Sequence, residues 1–358
     1  MPIVPLYGHA ALRERLAASA DRGALPGSLL LHGPRGVGKQ RLALWLAQRL
    51  LCTDPAVRPC GRCQSCRYAG ELAHPDLRWV YPRPRLKDAD ATSKEVEQDY
   101  AEGTAQRVEA GGLYPAPSGS DAIYVATVRA IVQQAAMSPA LGRRKVFVLG
   151  EAERMVPQEG ADAAANAFLK LLEEPPDDTT LILTSSEPGA LLPTIRSRVV
   201  GVRVAPLADA DVAAFLDDPI VAAALDADRV LPRGAADRVA LAAGAPGSLI
   251  GRGEHAAASE AARRLLDAAT ADRATRFRLA FQQGSARARG AFSDTLDELT
   301  VLLHARVHDA LRGADERGAA GAARAVECVE RAKERAAGNV SPALVGAALL
   351  RDLGAALR

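Results

Sequence analysis

Long hydrophobic runs are absent from the sequence. The longest apolar stretches, such as Ser28–Leu31 and Val146–Leu149, are far shorter than the roughly 18 residues that span a bilayer. The N-terminus also lacks the charged, apolar and small-residue pattern of an export signal. These absences argue against a membrane protein or a secreted one, and we expect a cytoplasmic location.

Aromatic residues and excess charge are also scarce. Aromatics make up only 4% of the chain, whereas hydrophobic residues make up 48%, so the core is built mainly from Ala, Leu and Val, which favours helices. The 45 Lys and Arg residues nearly balance the 43 Asp and Glu residues, giving a formal net charge of +2. An isolated chain with so little excess positive charge is not expected to grip nucleic acid unaided.

The 358 residues exceed the size of a single core and predict two or three domains. Up to residue 205, short apolar runs alternate with helical patterns, which is typical of βαβ units and a parallel sheet. Strands are predicted at Ser28–His32, Leu77–Tyr81, Lys145–Leu149, Leu181–Thr184 and Val202–Val204, with a helix from Val125 to about Met137. Residues 82–121 are rich in Pro, Gly, Ala and charge, and predict an insertion or mobile loop.

Beyond Pro206 only helical patterns appear. Phe292, Leu296, Leu299, Leu303 and Val307 recur at spacings of three and four, which places them on one helix face. We therefore expect an α/β domain over residues 1–205, a small helical domain over 206–253 and an all-helical domain over 254–358.

The cysteines are few and clustered. Cys52, Cys60, Cys63 and Cys66 lie within fifteen residues, and Cys328 stands alone in a later helical segment. Such a cluster in a chain without an export signal favours reduced thiols that hold a metal over disulfides. Four soft thiolates leave no open position for chemistry, so the prediction is a structural Zn²⁺ module over residues 52–66.

Two other interpretations of the cysteine cluster stay open. One is a redox or iron–sulfur centre. The other is a zinc module that binds nucleic acid, favoured by Arg58, Arg62 and Arg67 but weakened by the lack of interleaved aromatic residues apart from Tyr68.

A phosphate-binding loop follows the first predicted strand and opens a helical segment. Its residues are Gly33, Pro34, Arg35, Gly36, Val37, Gly38, Lys39 and Gln40. This is the G-x-x-x-x-G-K pattern in a strand–loop–helix setting, where backbone N–H groups cradle phosphate and Lys39 neutralises it. The pattern predicts an ATP or ADP site, with an empty structural turn as the alternative.

The contacts that would hold Mg²⁺ are missing. A Ser or Thr hydroxyl normally follows the loop lysine, but this chain has Gln40. Glu151 follows the third strand and could orient water, yet Gly150 occupies the position of the metal-holding Asp. We therefore expect no bound Mg²⁺ and little or no ATP hydrolysis by the chain itself.

Two further motifs complete a family resemblance. They are Asn166–Pro176 (NAFLKLLEEPP) and Leu191–Arg198 (LLPTIRSR). With the cysteine cluster and the altered magnesium site, they resemble the AAA+ clamp-loader subunits of bacterial DNA polymerase III, and among these the delta prime subunits most closely. The resemblance covers residues 1 to about 205 closely and the later helical parts only by order and length.

The resemblance implies a fold, a complex and a set of roles. The fold is a RecA-like ATPase domain with a helical lid and a helical collar. The complex is a pentamer with motor ATPase subunits and a clamp-opening subunit, which loads a sliding clamp onto primed DNA. In it, the delta prime subunit acts as a stator that lends an arginine, here Arg198, to a neighbour's ATP site.

The family pattern also leaves alternatives at individual residues. Ser185 matches the polar sensor of the fourth strand, and Ser248 stands where active loaders carry a second sensor arginine. Arg198 could instead pair with a nearby carboxylate such as Glu187, and Ser185 could simply satisfy backbone groups. The alternatives for the whole chain are an active AAA+ motor ATPase, in which Gln40 and Glu151 rescue metal binding, and a zinc-bearing DNA-binding adaptor.

Overall fold

The computed structural model describes residues 3–86, 91–117, 121–155, 162–228, 231–253, 256–282, 289–337 and 340–357. The chain divides into two compact units. The first comprises Met1–Ala116 and Asp121–Arg252, and the second comprises Pro117–Ser120 and Gly253–Arg358. Among the described helices, none combines the length and the apolar composition needed to cross a bilayer.

The first unit is built on a five-stranded parallel sheet, as predicted. Its strands are β1 (Ser28–His32), β2 (Leu77–Val80), β3 (Lys145–Leu149), β4 (Thr179–Ser185) and β5 (Val200–Arg203). They lie in the order β2-β3-β4-β1-β5 and every pair is parallel. The α/β fold class is therefore confirmed, and β1 and β3 have the predicted bounds.

Helices cover both faces of this sheet. They are α1 (Ala10–Asp21), α2 (Lys39–Leu51), α3 (Gln64–Gly70), α4 (Ser93–Glu109), α5 (Val125–Ala135), α6 (Asp162–Glu173) and α7 (Pro193–Arg196). Successive strand residues point to opposite faces, so Leu29 and Leu31 enter one apolar cluster while Leu30 enters another. Strands β1, β3 and β4 are thus buried on both sides, which explains their apolar runs, whereas the edge strand β5 is largely exposed.

Helix α4 corrects the expectation of a loop over residues 82–121. It spans 17 residues, from Ser93 to Glu109, within the segment whose Pro and Gly content suggested irregular structure. Thr92 and Glu95 form a capping box at its start, in which each side chain bonds the other residue's backbone N–H. The prolines and most glycines of the segment flank the helix, so they do not interrupt it.

Three more helices complete the first unit. They are α8 (Asp209–Leu216), α9 (Pro219–Ala227) and α10 (Ala235–Ala242), followed by a 3-10 turn at Pro246–Leu249. Val212 and Val221 from these helices share an apolar cluster with Val4 near the N-terminus. The described contacts place residues 206–252 in the first unit. A separate helical domain over residues 206–253 therefore stays a prediction.

The second unit consists of helices in its described part, as predicted. They are α11 (Ala256–Ala269), α12 (Arg273–Gln282), α13 (Arg289–Arg312), α14 (Glu316–Ala337) and α15 (Pro342–Ala356). Phe292, Leu296, Leu299 and Leu303 are all buried on one face of α13. The predicted spacing is therefore confirmed for these four residues, whereas Val307 is only half-buried. The face packs against small residues such as Ala325 and Ala332 of α14.

Candidate nucleotide site and cysteine centre

The topology of the sheet brings the predicted nucleotide-site residues to one edge. The phosphate loop follows β1, Glu151 follows β3 and Ser185 ends β4, and these three strands are neighbours. Because the strands are parallel, their carboxyl ends meet at the same edge. Lys39, Glu151 and Ser185 are therefore close in space although they are distant in sequence.

Glycines allow the phosphate loop to pack tightly against its own chain. Gly36 has a φ of 82°, and a Cβ at this position would lie 2.4 Å from the backbone nitrogen of Ser248. The Gly247 N–H donates to the Gly36 carbonyl at 2.9 Å. The turn at Pro246–Leu249 thus contacts the phosphate loop directly.

The loop lysine is fully engaged by protein groups. Lys39 Nζ donates to the Gly33 and Pro34 carbonyls at 2.9 and 2.8 Å and to Ser186 Oγ at 2.9 Å. An ammonium group has three N–H donors, so these contacts use all of them. Burial lowers the pKa of Lys39 to about 8, although nearby carboxylates oppose this shift. A phosphate would have to displace at least one of these contacts.

Gln40 and Gly150, the two positions at which the sequence pattern lacks a magnesium ligand, fit together in the structure. The Gln40 side chain is buried, and its Oε1 accepts a hydrogen bond from Trp79 Nε1 at 2.8 Å. A Cβ on Gly150 would lie only 2.3 Å from the same oxygen. The amide therefore occupies the space that a metal-holding Asp at position 150 would need.

Neighbouring side chains hold Trp79 in place. Its ring packs edge-on against Tyr81 and Tyr114, at centroid distances of 5.0 and 5.5 Å. Arg107 of α4 lies over the same rings, 3.2 Å from the Tyr81 centroid and 4.6 Å from that of Trp79. Helix α4 thus helps to fix the donor that orients Gln40.

We expect Gly150→Ala to lower the free energy of unfolding by about 1–3 kcal/mol, because the added methyl group pushes Gln40 away from Trp79. Denaturant unfolding would measure this loss. Gly189→Ala is the matched control, since a Cβ there meets nothing within 4 Å. The alanine at position 150 should cost much less in a Gln40→Ser background, and equal costs in the two backgrounds would contradict the contact.

Two carboxylates, Glu151 and Glu153, follow β3, and their contacts differ from those expected for a water-orienting group. Glu151 Oε2 lies 3.4 Å from Arg154 Nε, so the expected water-orienting group is part of an ion pair. Glu153 accepts the Ser186 N–H at 2.9 Å, and burial together with Glu151 raises the pKa of Glu153. Glu153 is thus the carboxylate more deeply embedded beside Lys39.

Ser185 is completely buried at the end of β4. Its hydroxyl accepts the Glu187 N–H at 3.1 Å, which is the backbone contact expected under the alternative interpretation. The hydroxyl also opposes the rise that burial causes in the pKa of Glu153. The sensor role of Ser185 stays a prediction.

Arg198 lies just beyond α7 and is partly exposed. Its Nη1 donates to the Thr194 carbonyl at 2.9 Å, and its Nη2 lies 3.1 Å from Glu173 Oε1 at the end of α6. A local carboxylate therefore does pair with this arginine. The partner is Glu173 in the described structure, whereas the sequence suggested Glu187.

The four clustered cysteines form a compact tetrad. All four Sγ atoms lie within 4.8 Å of one another, and the Cys52–Cys63 and Cys60–Cys66 sulfur distances are both 3.9 Å. Four sulfurs at about 2.3 Å from a central Zn²⁺ would lie roughly 3.8 Å apart. The tetrad is therefore a possible metal site, and its spacing fits tetrahedral zinc.

The backbone around the tetrad supports thiolate ligands. The N–H groups of Cys63 and Cys66 point at the sulfurs of Cys60 and Cys63, at 3.3 and 3.4 Å. Burial would raise the pKa of Cys63, but backbone N–H groups of Thr53 and Cys66 outweigh it and lower the pKa to about 6. Burial raises the pKa of Cys52 and Cys66, so the backbone favours a thiolate at Cys63 but not at those two positions. Cys52 ends α2 and Cys63 caps α3, so a bound metal would tie these two helices together.

Four residues that complete these sites were not among the predicted site residues. They are Trp79, Glu153, Glu173 and Ser186. Trp79 and Glu173 belong to the second strand and to the LLEEPP motif, and neither position signals a polar contact with a distant residue. Glu153 and Ser186 each lie next to a predicted residue and could have been included on that ground alone.

Comparison with known proteins identifies the family. The family model described as "DNA polymerase III, delta subunit" matches residues 8–208. The delta prime subunit of DNA polymerase III from Pseudomonas aeruginosa is 37% identical over 172 residues, which cover 48% of this chain and 40% of that protein. The gamma/tau subunit from Mycobacterium tuberculosis is 32% identical over 184 residues, 51% of this chain and 25% of that protein.

The matched segment thus spans less than half the length of these curated relatives. A solved structure of a DNA polymerase III gamma subunit-related protein from Thermotoga maritima aligns over 97% of this chain and 99% of its own, at 18% identity and a TM-score of 0.40. That structural similarity is too low to support a functional argument. The family match, however, confirms the resemblance to DNA polymerase III subunits, and because it covers more than half of the chain, the protein belongs to the DNA polymerase III delta subunit family.

Proposed function

We propose that this protein is a stator subunit of the bacterial DNA polymerase III clamp loader. It hydrolyses little or no ATP itself and supplies Arg198 to the ATP site of a neighbouring subunit. Its partners are the motor ATPase subunits and the clamp-opening subunit of a pentamer. It acts on the sliding clamp and primed DNA through that complex.

The contact among Gln40, Trp79 and Gly150 carries this proposal. Phosphoryl transfer depends on positioning and on charge neutralisation by Mg²⁺. Here an uncharged amide fills the metal position and is bonded to a buried indole. Lys39 already donates to three protein acceptors, and this further reduces its capacity to bind a phosphate. ATP or ADP could enter only by displacing these contacts, so we propose that Mg²⁺ is not held.

The position of Arg198 supports a role toward another subunit. The guanidinium of Arg198 lies beyond α7 and is partly exposed. The chain's own phosphate loop contacts the Pro246–Leu249 turn instead. A planar, permanently charged guanidinium suits a triphosphate presented by a neighbour, and one hydrogen of Nη2 remains for a phosphate oxygen beside the contact with Glu173. We assign Glu151 only a vestigial part in hydrolysis.

We also propose that the cysteine tetrad holds one structural Zn²⁺. Cys52, Cys60, Cys63 and Cys66 would bind it, and the ion would supply a crosslink with no open position for chemistry. The second unit, with its five described helices, is proposed as the collar that joins the subunits.

The two alternatives fit less well. An active motor ATPase would need the Gln40 amide to leave Trp79 and turn toward a metal, although the space beside Gly150 is already filled. A DNA-binding zinc adaptor would need a basic surface, whereas the net charge is only +2.

Reconstitution tests the proposed function. The chain should be mixed with the motor and clamp-opening subunits of the same organism, its sliding clamp and primed DNA. We expect ATP turnover and clamp loading to require the chain, while the chain alone turns over ATP at the buffer background. Turnover by the chain alone at the rate of a complete loader would favour the motor alternative.

A further inference from the structure

The contact between Arg198 and Glu173 joins two separate elements of the first unit. Glu173 is the last residue of α6, and Arg198 follows α7. Their side chains are 52% and 27% exposed, and the Nη2–Oε1 distance is 3.1 Å. The other terminal nitrogen, Nη1, donates to the Thr194 carbonyl at 2.9 Å. The guanidinium is therefore held at both terminal nitrogens by its own chain.

These contacts restrict a side chain that is otherwise flexible. An arginine that is ordered only on meeting its ligand loses rotamer freedom at that moment, which weakens the interaction. Each terminal nitrogen of the guanidinium carries two hydrogens. One hydrogen on Nη2 can point to Glu173 while the other remains for a phosphate oxygen. Glu173 can thus orient the group without occupying all of its donors.

We propose that Glu173 is a positioning residue that preorganises Arg198 for the triphosphate of a neighbouring nucleotide. This proposal rests on the proposed function, because it needs Arg198 to act across an interface. Glu173 acts only through Arg198 and does not contact the nucleotide. Because the ion pair is half exposed and screened by solvent, its loss should lower the rate at that site by only about two- to fivefold.

The chain offers a matched control for this effect. Glu174 is also exposed, and its carboxylate has no hydrogen bond or ion pair within the described part of the chain. Glu173→Gln and Glu174→Gln remove the same charge from adjacent positions. If long-range repulsion of the triphosphate were the dominant effect of these carboxylates, both variants would raise the rate.

The experiment measures ATP hydrolysis by loaders reconstituted with the full chain, the clamp and primed DNA. We expect Glu173→Gln to slow the phase of single-turnover phosphate release at the neighbouring site about two- to fivefold, with the apparent affinity for ATP and the melting temperature nearly unchanged, and Glu174→Gln to match the wild type. In an Arg198→Ala background, Glu173→Gln should have no further effect. A further loss there would assign Glu173 a structural role and overturn the proposal, as would a higher or unchanged rate for Glu173→Gln alone.

The same set of variants separates the two proposals. If Arg198→Ala hydrolyses ATP as fast as wild type, the finger role in the proposed function is wrong. If Arg198→Ala is slow and Glu173→Gln is normal, only the positioning role of Glu173 fails.

Discussion

Replacing Arg198 with alanine is expected to slow ATP hydrolysis at the neighbouring site by roughly 10³-fold or more, the range found for arginines that complete such sites. The substitution removes the guanidinium, which is the only group of this side chain that can neutralise charge on the transferred phosphoryl group. Clamp loading should fail or slow markedly, because the proposed function makes hydrolysis at this site part of the loading cycle. The fold should survive, since the Arg198 side chain is partly exposed and its ion pair is solvent-screened.

The measurement must resolve one site among several. If, as proposed, the chain completes one ATP site among several in the loader, steady-state turnover would fall only by the share of this site. Phosphate release in a single turnover should instead lose one phase. Arg196→Ala is the matched control, because Arg196 is exposed on α7 and has the same charge. Equal phosphate release by wild type and Arg198→Ala would remove the finger role.

Loss of the metal is expected to have the second largest effect. Purified protein should contain one zinc per chain, and Cys66→Ser should release it, because the tetrad loses one of four ligands. Cys66 is buried in α3, so the packing of α3 against α2 should weaken as well. We expect a loss of at least about 3 kcal/mol, equivalent to a drop in melting temperature of roughly 6–12 °C.

Cys328→Ser provides the control for this prediction. Cys328 is also buried, but it lies in α14 of the second unit and is not part of the tetrad. This variant should keep its zinc and melt close to the wild type. Wild-type protein without zinc by elemental analysis, or with an iron–sulfur absorption spectrum, would contradict the zinc assignment.

The sheet was predictable because its central strands are short apolar runs that must be buried on both faces. Leu29, Leu30 and Leu31 alternate between two cores and leave no freedom in the position of β1. The start of β4 was less visible, because Thr179 and Thr180 are polar residues that the strand buries. Helix α4 was missed because proline and glycine at its flanks suggested a loop, while the capping pair Thr92 and Glu95 gave the opposite signal.

The candidate sites were predictable where sequence spacing fixes geometry. The loop that ends in Lys39 follows β1 directly, and the cysteine spacing alone brings four sulfurs together. Contacts between distant segments were not predictable in the same way. No local pattern links Gln40 to Gly150 or Arg198 to Glu173, because each pair depends on the packing of elements that are far apart in the chain.

We propose that this chain does not hold magnesium–ATP but completes the site of a neighbour. Calorimetric titration of Mg²⁺–ATP into the isolated chain tests it most directly. We expect either no binding or weak binding that is the same with and without Mg²⁺, since Gln40 and Gly150 provide no metal ligand. Tight binding that requires Mg²⁺ and is lost on Lys39→Ala would contradict the account.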